Sequence, residues 1–420
     1  MKNNIVHIVF AGGGTAGHLF PGLAVAEQLS AMVPRVRITF CGGGKPFERQ
    51  AATDAGFEYF SLPARPLPQA PSEAVSFVVE NLAGYLAASR FLREEHVSAV
   101  VGLGGYVSVP MARAAIRRDV PLVLLEQNAV PGKATRWLAR RATLICTAFD
   151  ETAAGLRCRC PVRVTGNPIR FGFDRNTQVT LSTIATAQER GGEGETRRQG
   201  DALSHHLDSS AGESPCLPLS PSPPLRPSPS QLLVLGGSGG ARSLNENVPR
   251  ALYKVRRQLA DWYIVHQSGH SDLDATKSLY RKFDLPATVV PFVDDMPAML
   301  RTTDLAVCRA GGTTLAELSA AGVPSVLLPY PRAADDHQLA NARVFSTGGG
   351  CVTIDEREIS DRLDDRLADM LCFLLANDVL RRRMSAAMCK LARPAAAQDV
   401  AELIWSIVSS RSLQTQHAAV

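Results

Sequence analysis

The sequence predicts an α/β protein with two Rossmann-like domains, each a doubly wound parallel sheet, that face each other across a cleft. Short apolar runs alternate with longer amphipathic segments along most of the 420 residues. Each half of the chain also opens with an apolar run that leads into a glycine-rich loop, at Ala11–Gly17 and at Gly236–Gly240. With 45% hydrophobic and 20% charged residues, the composition is that of an ordinary globular protein.

The first half supplies a regular series of strands and helices. Ile5–Phe10 predicts a buried strand, and His18–Ala31 predicts the helix that follows the first glycine loop. Amphipathic helices are also expected at Ser72–Glu94 and Lys133–Arg140. Other apolar runs predict further strands at Val36–Phe40, Ala99–Val101, Leu122–Leu125, Leu144–Cys146 and Val162–Val164.

Residues 174–230 interrupt this alternation. The segment lacks apolar periodicity and ends in PCLPLSPSPPLRPSPS. Because such a composition cannot bury enough apolar surface to offset its chain entropy, we expect a disordered insert and linker there. The sequence therefore predicts a first domain over residues 1–173, a second over 231–393, and a C-terminal helix and tail over 394–420 that packs back on the first domain.

The second half repeats the alternation. A helix is expected from about Leu244, and apolar runs predict strands at Leu232–Leu235, Tyr263–His266, Thr288–Pro291, Leu305–Cys308 and Val326–Pro329. Within this half, Asp304–Asn341 reads as one βαβ unit, with a glycine loop, a helix beginning near Thr313 and a second polar loop. Ligands of such units lie at the carboxyl ends of the strands, and a helix start beside glycines suits a phosphate.

Glu317 has two interpretations. Thr314-x-x-Glu317 matches a capping box, in which the carboxylate only satisfies amides at the helix start, and the local pattern favours this interpretation. In the other interpretation, Glu317 and Gln338 hydrogen-bond the hydroxyls of a sugar beside the phosphate site.

The net charge, the cysteine spacing and the lengths of the apolar runs argue against a nucleic-acid-binding, metal-binding or membrane-spanning protein. A net charge of +5 and a pI near 8.8 suit anionic lipid or a phosphorylated substrate but are too weak to imply nucleic acid. The nine cysteines are scattered without metal-ligand spacing, which indicates reduced thiols in a cytosolic protein. Ile5–Phe10 is too short for a signal peptide, and no apolar run approaches the roughly 20 residues of a membrane span. We expect neither a metal nor a cofactor.

Gly12-x-Gly14-x-x-Gly17 matches the dinucleotide-binding fingerprint. An NAD enzyme also needs an acid near the end of the second strand, and that strand ends here in Phe40-Cys41-Gly42. We therefore discount an oxidoreductase and retain a loop shaped for a phosphate or a sugar. His18 follows this loop. Such a histidine is commonly a capping or packing residue, but in a cleft it can act as a general base.

Several other motifs follow predicted strands. Gly236–Gly240 matches the G-x-S-x-G elbow of hydrolases, although an anion-binding loop before a helix explains it equally well and is preferred. Gly104-Gly105-Tyr106 and Glu126-Gln127-Asn128 fall where the first domain lines the cleft, with turn formation and capping as the alternative. Gly166–Arg170 ends the first domain, and Arg170 could bind a diphosphate through two parallel hydrogen bonds.

The motifs occur together in the order of one known family. They are GGGTAGHLFPGLAVA, GLGGYVS, EQNAVPG, GNPIR, GGSGGARSLN, HQSG, FVDDM, CRAGGTTLAEL and DDHQLANA. This ordered set resembles the MurG family of bacterial cell-wall glycosyltransferases, and the likeness covers nearly the whole chain outside residues 174–230. The insert at the domain junction departs from the family pattern.

The resemblance implies a GT-B fold, with UDP-N-acetylglucosamine held mainly by the second domain and a lipid-linked acceptor by the first. The implied reaction is inverting transfer of N-acetylglucosamine to the muramoyl 4-hydroxyl of undecaprenyl-diphospho-muramoylpentapeptide, which converts lipid I to lipid II. A related UDP-N-acetylglucosamine epimerase shares the architecture, but the pair GGGTAGH and GGYVS argues against it. A non-catalytic nucleotide-sugar-binding protein is the hypothesis from another class.

The resemblance also implies roles for individual residues. His18 is the candidate base, and Ser238 with its loop and Arg170 would stabilise the departing diphosphate. Ala16 stands where many relatives have glycine. The implied donor residues are Thr15, Ala16, Gly17, Asn128, Arg170, Ser238, Val293, Gly312, Thr313, Thr314, Leu315, Ala316, Glu317 and Gln338. The implied acceptor residues are Gly104, Gly105, Tyr106 and Glu126.

A lipid-linked acceptor implies peripheral binding at the cytoplasmic side of the inner membrane, with cell-wall and division proteins as candidate partners. The segment Ser72–Leu92 carries an apolar stripe for which we expect core packing on the sheet. Its members are Val75, Val78, Val79, Leu82, Leu86 and Phe91. Phe77 and Tyr85 lie beside the stripe, flanked by Arg65, Arg90 and Arg93, and we expect this part to contact an anionic bilayer.

Overall fold

The first domain is a parallel sheet with helices on both faces. The computed structural model describes residues 5–170, 229–237, 240–359 and 362–417. The strands in the first domain are β1 His7–Ala11, β2 Arg37–Gly42, β3 Glu58–Ser61, β4 Ala99–Gly102, β5 Leu122–Glu126, β6 Leu144–Thr147 and β7 Val162–Val164, in the spatial order β3-β2-β1-β4-β5-β6-β7. Its helices are α1 Ala16–Met32, α2 Pro46–Asp54, α3 Ala74–Glu94, α4 Ser108–Arg117, α5 Lys133–Leu138 and α6 Asp150–Ala154.

The second domain repeats this architecture. Its strands are β8 Ser230–Leu235, β9 Trp262–Gln267, β10 Ala287–Val290, β11 Leu305–Cys308, β12 Ser325–Leu327 and β13 Cys351–Thr353, in the order β10-β9-β8-β11-β12-β13. The helices are α7 Arg242–Lys254, α8 Leu273–Lys282, α9 Met296–Thr302, α10 Gly312–Ala320, α11 His337–Thr347, α12 Leu363–Ala376, α13 Asp378–Leu391 and α14 Ala396–His417. The predicted fold class, two doubly wound parallel-sheet domains, is confirmed. The insert predicted over 174–230 lies outside the described residues apart from its last two positions.

Each sheet has one point at which the strand order reverses direction. In the first sheet this point lies between β1 and β4, and in the second between β8 and β11. Loops that leave neighbouring strands diverge there and open a crevice at the carboxyl ends. The predicted glycine loops after β1 and β8 are therefore located where a doubly wound sheet binds its ligands.

Two edge strands lack a signal in the sequence. β3 pairs with β2 at an edge of the first sheet, and β13 pairs with β12 at an edge of the second sheet. β3 alternates only weakly between half-buried and exposed residues, and β13 has three residues. An edge strand buries little surface, so its apolar pattern is short or diluted.

The last helix, α14, belongs to the second half of the sequence but packs against the first domain. Its residues Val400, Ala401 and Ile404 are buried in one cluster with Leu23 of α1 and Ile8 of β1. The chain thus returns to the first sheet after completing the second.

The outward face of α3 contradicts the expectation of core packing. Val75, Val78, Val79, Leu82 and Leu86 are between 53% and 73% exposed. The opposite face packs inward, with Gly84 so close to Pro63 and Pro110 that a side chain there would collide with them. Phe91 packs against the core as expected, and so does Tyr85, so the expectation that Tyr85 contacts a bilayer is wrong. The five exposed residues therefore lie on one face of the helix, as their spacing predicts, but that face is turned to solvent and not to the core.

Candidate functional site

His18 lies between two glycine loops at the reversal point of the first sheet. It is the third residue of α1, and its Nδ1 lies 3.1 Å from Thr15 Oγ1. Gly104 and Gly105 follow β4 with φ of +92° and +70°, and a Cβ on Gly104 would stand 3.4 Å from His18 Nε2. Only glycine adopts these angles readily and lets the imidazole approach so closely.

The environment of His18 keeps the imidazole neutral. Burial lowers the pKa of His18, while the carboxylate of Glu126 and the Gly13 carbonyl raise it, and the charge of His337 lowers it again. A ring nitrogen that faces a carbonyl must carry the hydrogen, so the other nitrogen keeps a free lone pair. A neutral histidine with one free lone pair can accept a proton from a hydroxyl.

Glu126, predicted as an acceptor-binding residue, is engaged with its own loop. It ends β5, is buried, and accepts a hydrogen bond from the Gly132 amide at 2.9 Å. Its other oxygen accepts from the main-chain and side-chain nitrogens of Asn128, both at 3.3 Å. These contacts favour a role as counter-charge to His18 over direct contact with an acceptor.

Glu317 is not a capping residue. The cap of α10 is Gly311, no side chain caps that helix, and Glu317 is its sixth residue, so the capping interpretation is wrong. The Glu317 side chain is 9% exposed, and burial raises its pKa to about 7 although the charge of Arg170 opposes the shift. A buried carboxyl in a cleft is suited to binding hydroxyl groups of a ligand.

Three buried polar atoms along the cleft lack a hydrogen-bond partner among the described residues. They are Arg170 Nε, Gln127 Oε1 and Asn167 Oδ1. The guanidinium of Arg170 also stacks on the ring of Phe20 in α1, with 4.4 Å between them. Since native structures leave few such groups unpaired, this cleft is suited to a polar ligand that completes their hydrogen bonds.

Contacts from the second domain complete the wall of the cleft. The Gln338 side-chain oxygen accepts from the Tyr330 amide at 2.9 Å, which leaves its NH₂ group to donate. Val293 donates its amide to Gln267 Oε1 at 3.2 Å, and Gln267 Nε2 donates to the Gly237 carbonyl at 2.9 Å. Gln267, which the sequence did not single out, thereby ties the loop after β8 to the loop after β10.

The predicted site residues fall on matching ends of the two sheets. Thr15, Ala16, Gly17 and His18 form the start of α1, Gly312 to Glu317 form the first turns of α10, and Gln338 is the second residue of α11. Asn128 follows β5, Arg170 follows β7 and Val293 follows β10, while Tyr106, which follows β4, is partly exposed. Ser238 lies outside the described residues.

Hydrogen bonds join the two domains at this site. The Thr313 hydroxyl donates to the Gly17 carbonyl at 3.0 Å and accepts from Asn167 Nδ2 at 3.2 Å. Asn341 of α11 is fully buried and reaches the first domain twice. Its Oδ1 accepts from the Ala129 amide at 2.8 Å, and its Nδ2 donates to Asn128 Oδ1 at 3.1 Å.

Glu48 is a second residue that sequence reasoning missed. It is fully buried in α2 and accepts from the Gly14 amide at 2.6 Å and from the Tyr59 hydroxyl at 2.8 Å. It therefore fixes the shape of the first glycine loop. Its only signal in the sequence was an acid placed six residues after β2, too late for the ribose-binding acid of a dinucleotide site.

His266, a fully buried histidine of β9, has no free lone pair. Its Nδ1 is 2.9 Å from the Tyr280 hydroxyl and its Nε2 is 3.0 Å from Asn245 Oδ1. Burial lowers the pKa of His266 to about 3. Within the described ranges, the structure contains no cluster of three or more histidine, cysteine, aspartate or glutamate side chains arranged for a metal ion.

Comparison with known proteins identifies both domains. Residues 8–147 match the glycosyltransferase family 28 N-terminal domain, and residues 231–400 match the glycosyltransferase family 28 C-terminal domain.

Two curated relatives carry the same name, UDP-N-acetylglucosamine–N-acetylmuramyl-(pentapeptide) pyrophosphoryl-undecaprenol N-acetylglucosamine transferase. The one from Pelobacter propionicus is 34% identical over 94% of this chain and 98% of its own length. The one from Geobacter sulfurreducens is 33% identical over 94% of this chain and 97% of its own. The crystal structure of Acinetobacter baumannii MurG superimposes with a TM-score of 0.66 at 29% identity, over 96% of this chain and 99% of that one.

Proposed function

The chain belongs to the MurG family of N-acetylglucosaminyltransferases, and from that premise we propose how its cleft performs the transfer of N-acetylglucosamine from UDP-N-acetylglucosamine to lipid I. The protein is a glycosyltransferase of the GT-B fold, and the product of the reaction is lipid II, the undecaprenyl-linked precursor of peptidoglycan.

The observation that carries the mechanism is the meeting of two helix starts at the Thr313–Gly17 hydrogen bond. The starts of α1 and α10 each present free amides and a partial positive charge, which suits the diphosphate of UDP. Arg170, whose Nε is buried without a partner among the described residues, adds a full positive charge beside them. Glu317 and Gln338 then hold donor hydroxyls, Glu317 as acceptor and Gln338 through its NH₂ group.

The chemistry follows from this arrangement. The muramoyl 4-hydroxyl oxygen attacks C1 of N-acetylglucosamine from the face opposite the leaving group, and the bond from C1 to the phosphate oxygen breaks. The hydroxyl proton passes to the free lone pair of His18, and UDP departs with the bonding electrons. Glu126, held by Gly132 and Asn128, stabilises the imidazolium that forms.

The decisive experiment is a transfer assay with radiolabelled UDP-N-acetylglucosamine and a lipid I analogue. Labelled disaccharide product is the expected result. Binding of UDP-N-acetylglucosamine without transfer would indicate a non-catalytic nucleotide-sugar-binding protein. Conversion of the free nucleotide sugar to its 2-epimer would indicate the epimerase.

The exposed stripe of α3 supports binding to the inner membrane from the cytoplasmic side. Leu82 and Leu86 stand among the five exposed apolar residues of this face. Among the residues that the structure describes, no helix combines the length and the apolar character needed to cross a bilayer. An apolar stripe on a surface helix suits the boundary between headgroups and acyl chains, where the acceptor presents its sugar.

Basic and aromatic residues extend this surface beyond α3. Arg118 Nε donates to Ser89 Oγ of α3 at 2.9 Å, so the end of α4 lies alongside the stripe. Arg113 of α4 stacks on the exposed Trp137 of α5 at 4.9 Å. Arginine attracts anionic headgroups, and tryptophan favours the interface. Arg65 and Arg90, by contrast, pair with Glu80 and Glu94, so they contribute less than the sequence suggested.

A further inference from the structure

The carboxyl group of Glu48 binds two different parts of the first domain. Its Oε2 accepts hydrogen bonds from the Lys45 amide at 3.3 Å and from the Tyr59 hydroxyl at 2.8 Å, so this oxygen caps α2 and ties it to β3. Its Oε1 accepts from the Gly14 amide at 2.6 Å, in the loop after β1. A capping role explains the contact with Lys45 but not the contact with Gly14. Glu48 therefore has a second role.

Two glycine loops close tightly around this carboxyl group. A Cβ on Gly13 would lie 2.4 Å from Glu48 Oε1, and a Cβ on Gly42 would lie 2.6 Å from Glu48 Oε2. Only glycine allows a main chain to approach a side chain so closely. Glu48 is fully buried, and hydrogen bonds from amides to a carboxylate are short and strong. The loop after β1 is thus fastened to α2 at Glu48.

Gly14 is held through both of its main-chain polar groups. Glu48 accepts from its N–H, and Lys45 Nζ donates to its carbonyl oxygen at 2.8 Å. The φ of Gly14 is +87°, in the left-handed region that favours glycine. The next residue is Thr15, whose Oγ1 lies 3.1 Å from His18 Nδ1. The segment that α2 holds therefore leads directly to the ring of the proposed base.

One peptide unit lies between Glu48 and His18. It joins Gly13 to Gly14, and in a planar trans peptide the N–H and the C=O point in opposite directions. Its N–H points to Glu48, so its C=O points away from Glu48 and faces the His18 imidazole. A Cβ on Gly105 would lie 3.4 Å from this carbonyl oxygen and 3.7 Å from His18 Nδ1, so both atoms border the same gap. Because a carbonyl only accepts, Nδ1 carries the hydrogen and Nε2 keeps the lone pair.

We propose that Glu48 is a positioning residue for the transfer reaction: through the peptide unit between Gly13 and Gly14 it fixes the hydrogen of His18 on Nδ1, so that Nε2 accepts the proton of the acceptor hydroxyl. This inference rests on the proposed function, because it assigns Glu48 an effect on the proposed base. The arrangement is that of a carboxylate orienting a catalytic histidine, with one peptide unit placed between the two side chains.

The decisive measurement is the NMR spectrum of the two ring nitrogens of His18, at a pH at which the imidazole is neutral. The His18 signals are assigned by their absence in His18→Ala. In the wild type we expect the hydrogen on Nδ1. Glu48→Met keeps the length of the side chain and removes both oxygens, so the Gly14 amide loses its acceptor and part of the hydrogen should move to Nε2. Glu48→Gln, which keeps one oxygen, should show a smaller change in the same direction.

Steady-state transfer by the full-length protein gives the second readout. The kcat of Glu48→Met should fall about tenfold or more, because the base is misoriented, while Kd for UDP-N-acetylglucosamine stays the same. Glu48→Gln should recover part of kcat. The control is Thr39→Val, which loses a buried 2.9 Å hydrogen bond to His7 at the start of β1. This control should lower Tm and change neither kcat nor the position of the hydrogen.

The outcomes separate the inference from the proposed function. Hydrogen on Nε2 in the wild type would overturn the inference whether or not the variants fold. Hydrogen retained on Nδ1 in Glu48→Met, with kcat no lower than in Thr39→Val, would overturn it and leave the transferase function intact. If Glu48→Met does not fold, retention of the wild-type spectrum and kcat by Glu48→Gln would overturn it. Absence of transfer by the wild type would overturn the proposed function, and the NMR spectra would still decide the role of Glu48.

Discussion

The Thr313 hydroxyl donates to the Gly17 carbonyl, so the start of a helix in one domain touches the start of a helix in the other. Thr313 and Gly17 are separated by 296 positions in the chain. Gly312 is packed so tightly against the first domain that a Cβ on it would lie 2.0 Å from the Gln127 carbonyl oxygen. A negative ligand at this contact is stabilised by both helix starts at once, and binding there holds the domains together.

Glu317→Gln should weaken the binding of UDP-N-acetylglucosamine. Loss of a charge-assisted hydrogen bond at a buried site costs about 1.5–3 kcal/mol, which corresponds to roughly a ten- to hundredfold rise in Kd. Isothermal titration with the donor measures this, and Glu402→Gln on the exposed face of α14 serves as control. Unchanged donor affinity together with a lower Tm would show that Glu317 stabilises the fold and does not bind the donor.

Glu317 should also make stability depend on pH. Its pKa is raised to about 7 by burial, above the value of an unfolded chain. Below both values the carboxyl is neutral in both states and burial carries no charge penalty. As the pH rises toward 7 the unfolded chain releases a proton that the folded chain keeps, so the free energy of unfolding falls. Glu317→Gln should therefore raise Tm relative to the wild type at pH 8 and leave it nearly unchanged at pH 5. The same Tm difference at both pH values would contradict the raised pKa.

His18→Ala should lower turnover on the order of a hundredfold or more, because the acceptor hydroxyl loses its base. Donor affinity should change little, since the proposed donor contacts come mainly from the second domain. Steady-state transfer and donor titration on the same preparation separate the two effects. Near-normal turnover would show that another residue is the general base. Glu126 would be the next candidate, because both ring nitrogens of His266 are hydrogen-bonded.

The double substitution Leu82→Ser and Leu86→Ser should reduce binding to liposomes that contain anionic lipid. Each leucine contributes apolar area to the membrane contact, so a loss of about tenfold or more in partitioning is expected. Val379→Ser, an equally exposed apolar residue of α13, is the matched control. Arg113→Glu should weaken binding further at low salt. Liposome binding that survives these changes in a folded protein would place the docking surface elsewhere.

Deleting roughly Gln178–Ser228 should leave both sheets folded, because a Pro/Ser-rich linker contributes little burial. Thermal unfolding and transfer activity of the shortened chain should match the full-length protein. A large drop in either quantity would mean that the insert packs on the domains or controls their closure.

The sequence predicted the elements and the ends of the sheets better than it predicted pairs of side chains. Strands such as Leu122–Leu125 carry their signal locally, as an unbroken apolar run. The hydrogen bond between Asn341 and Ala129 joins positions 212 residues apart, and no local sequence pattern indicates it. Glu48 was equally hidden, because its partners Gly14 and Tyr59 come together only when α2 folds over the first glycine loop.

Two errors have one physical origin. Periodicity shows that one face of a helix is apolar but does not show what covers that face, so the stripe of α3 was taken for core. Thr314-x-x-Glu317 likewise satisfies the spacing of a capping box, yet α10 begins before Thr314 and places Glu317 in its interior. In both cases the spacing of the residues is present in the sequence, but the environment of those residues depends on parts of the chain that are distant in sequence.

Because α14 packs against the first domain, the chain passes from the second domain back to the first between Leu391 and Ala396. The helix α14 also covers α1, the helix whose start carries His18. A chain that ended before Ala396 would keep every donor contact of the second domain and would open Leu23 and Ile8 to water. Truncation at the C-terminus would thus disturb α1, the helix whose third residue is the proposed base, by removing the side chains that pack against it.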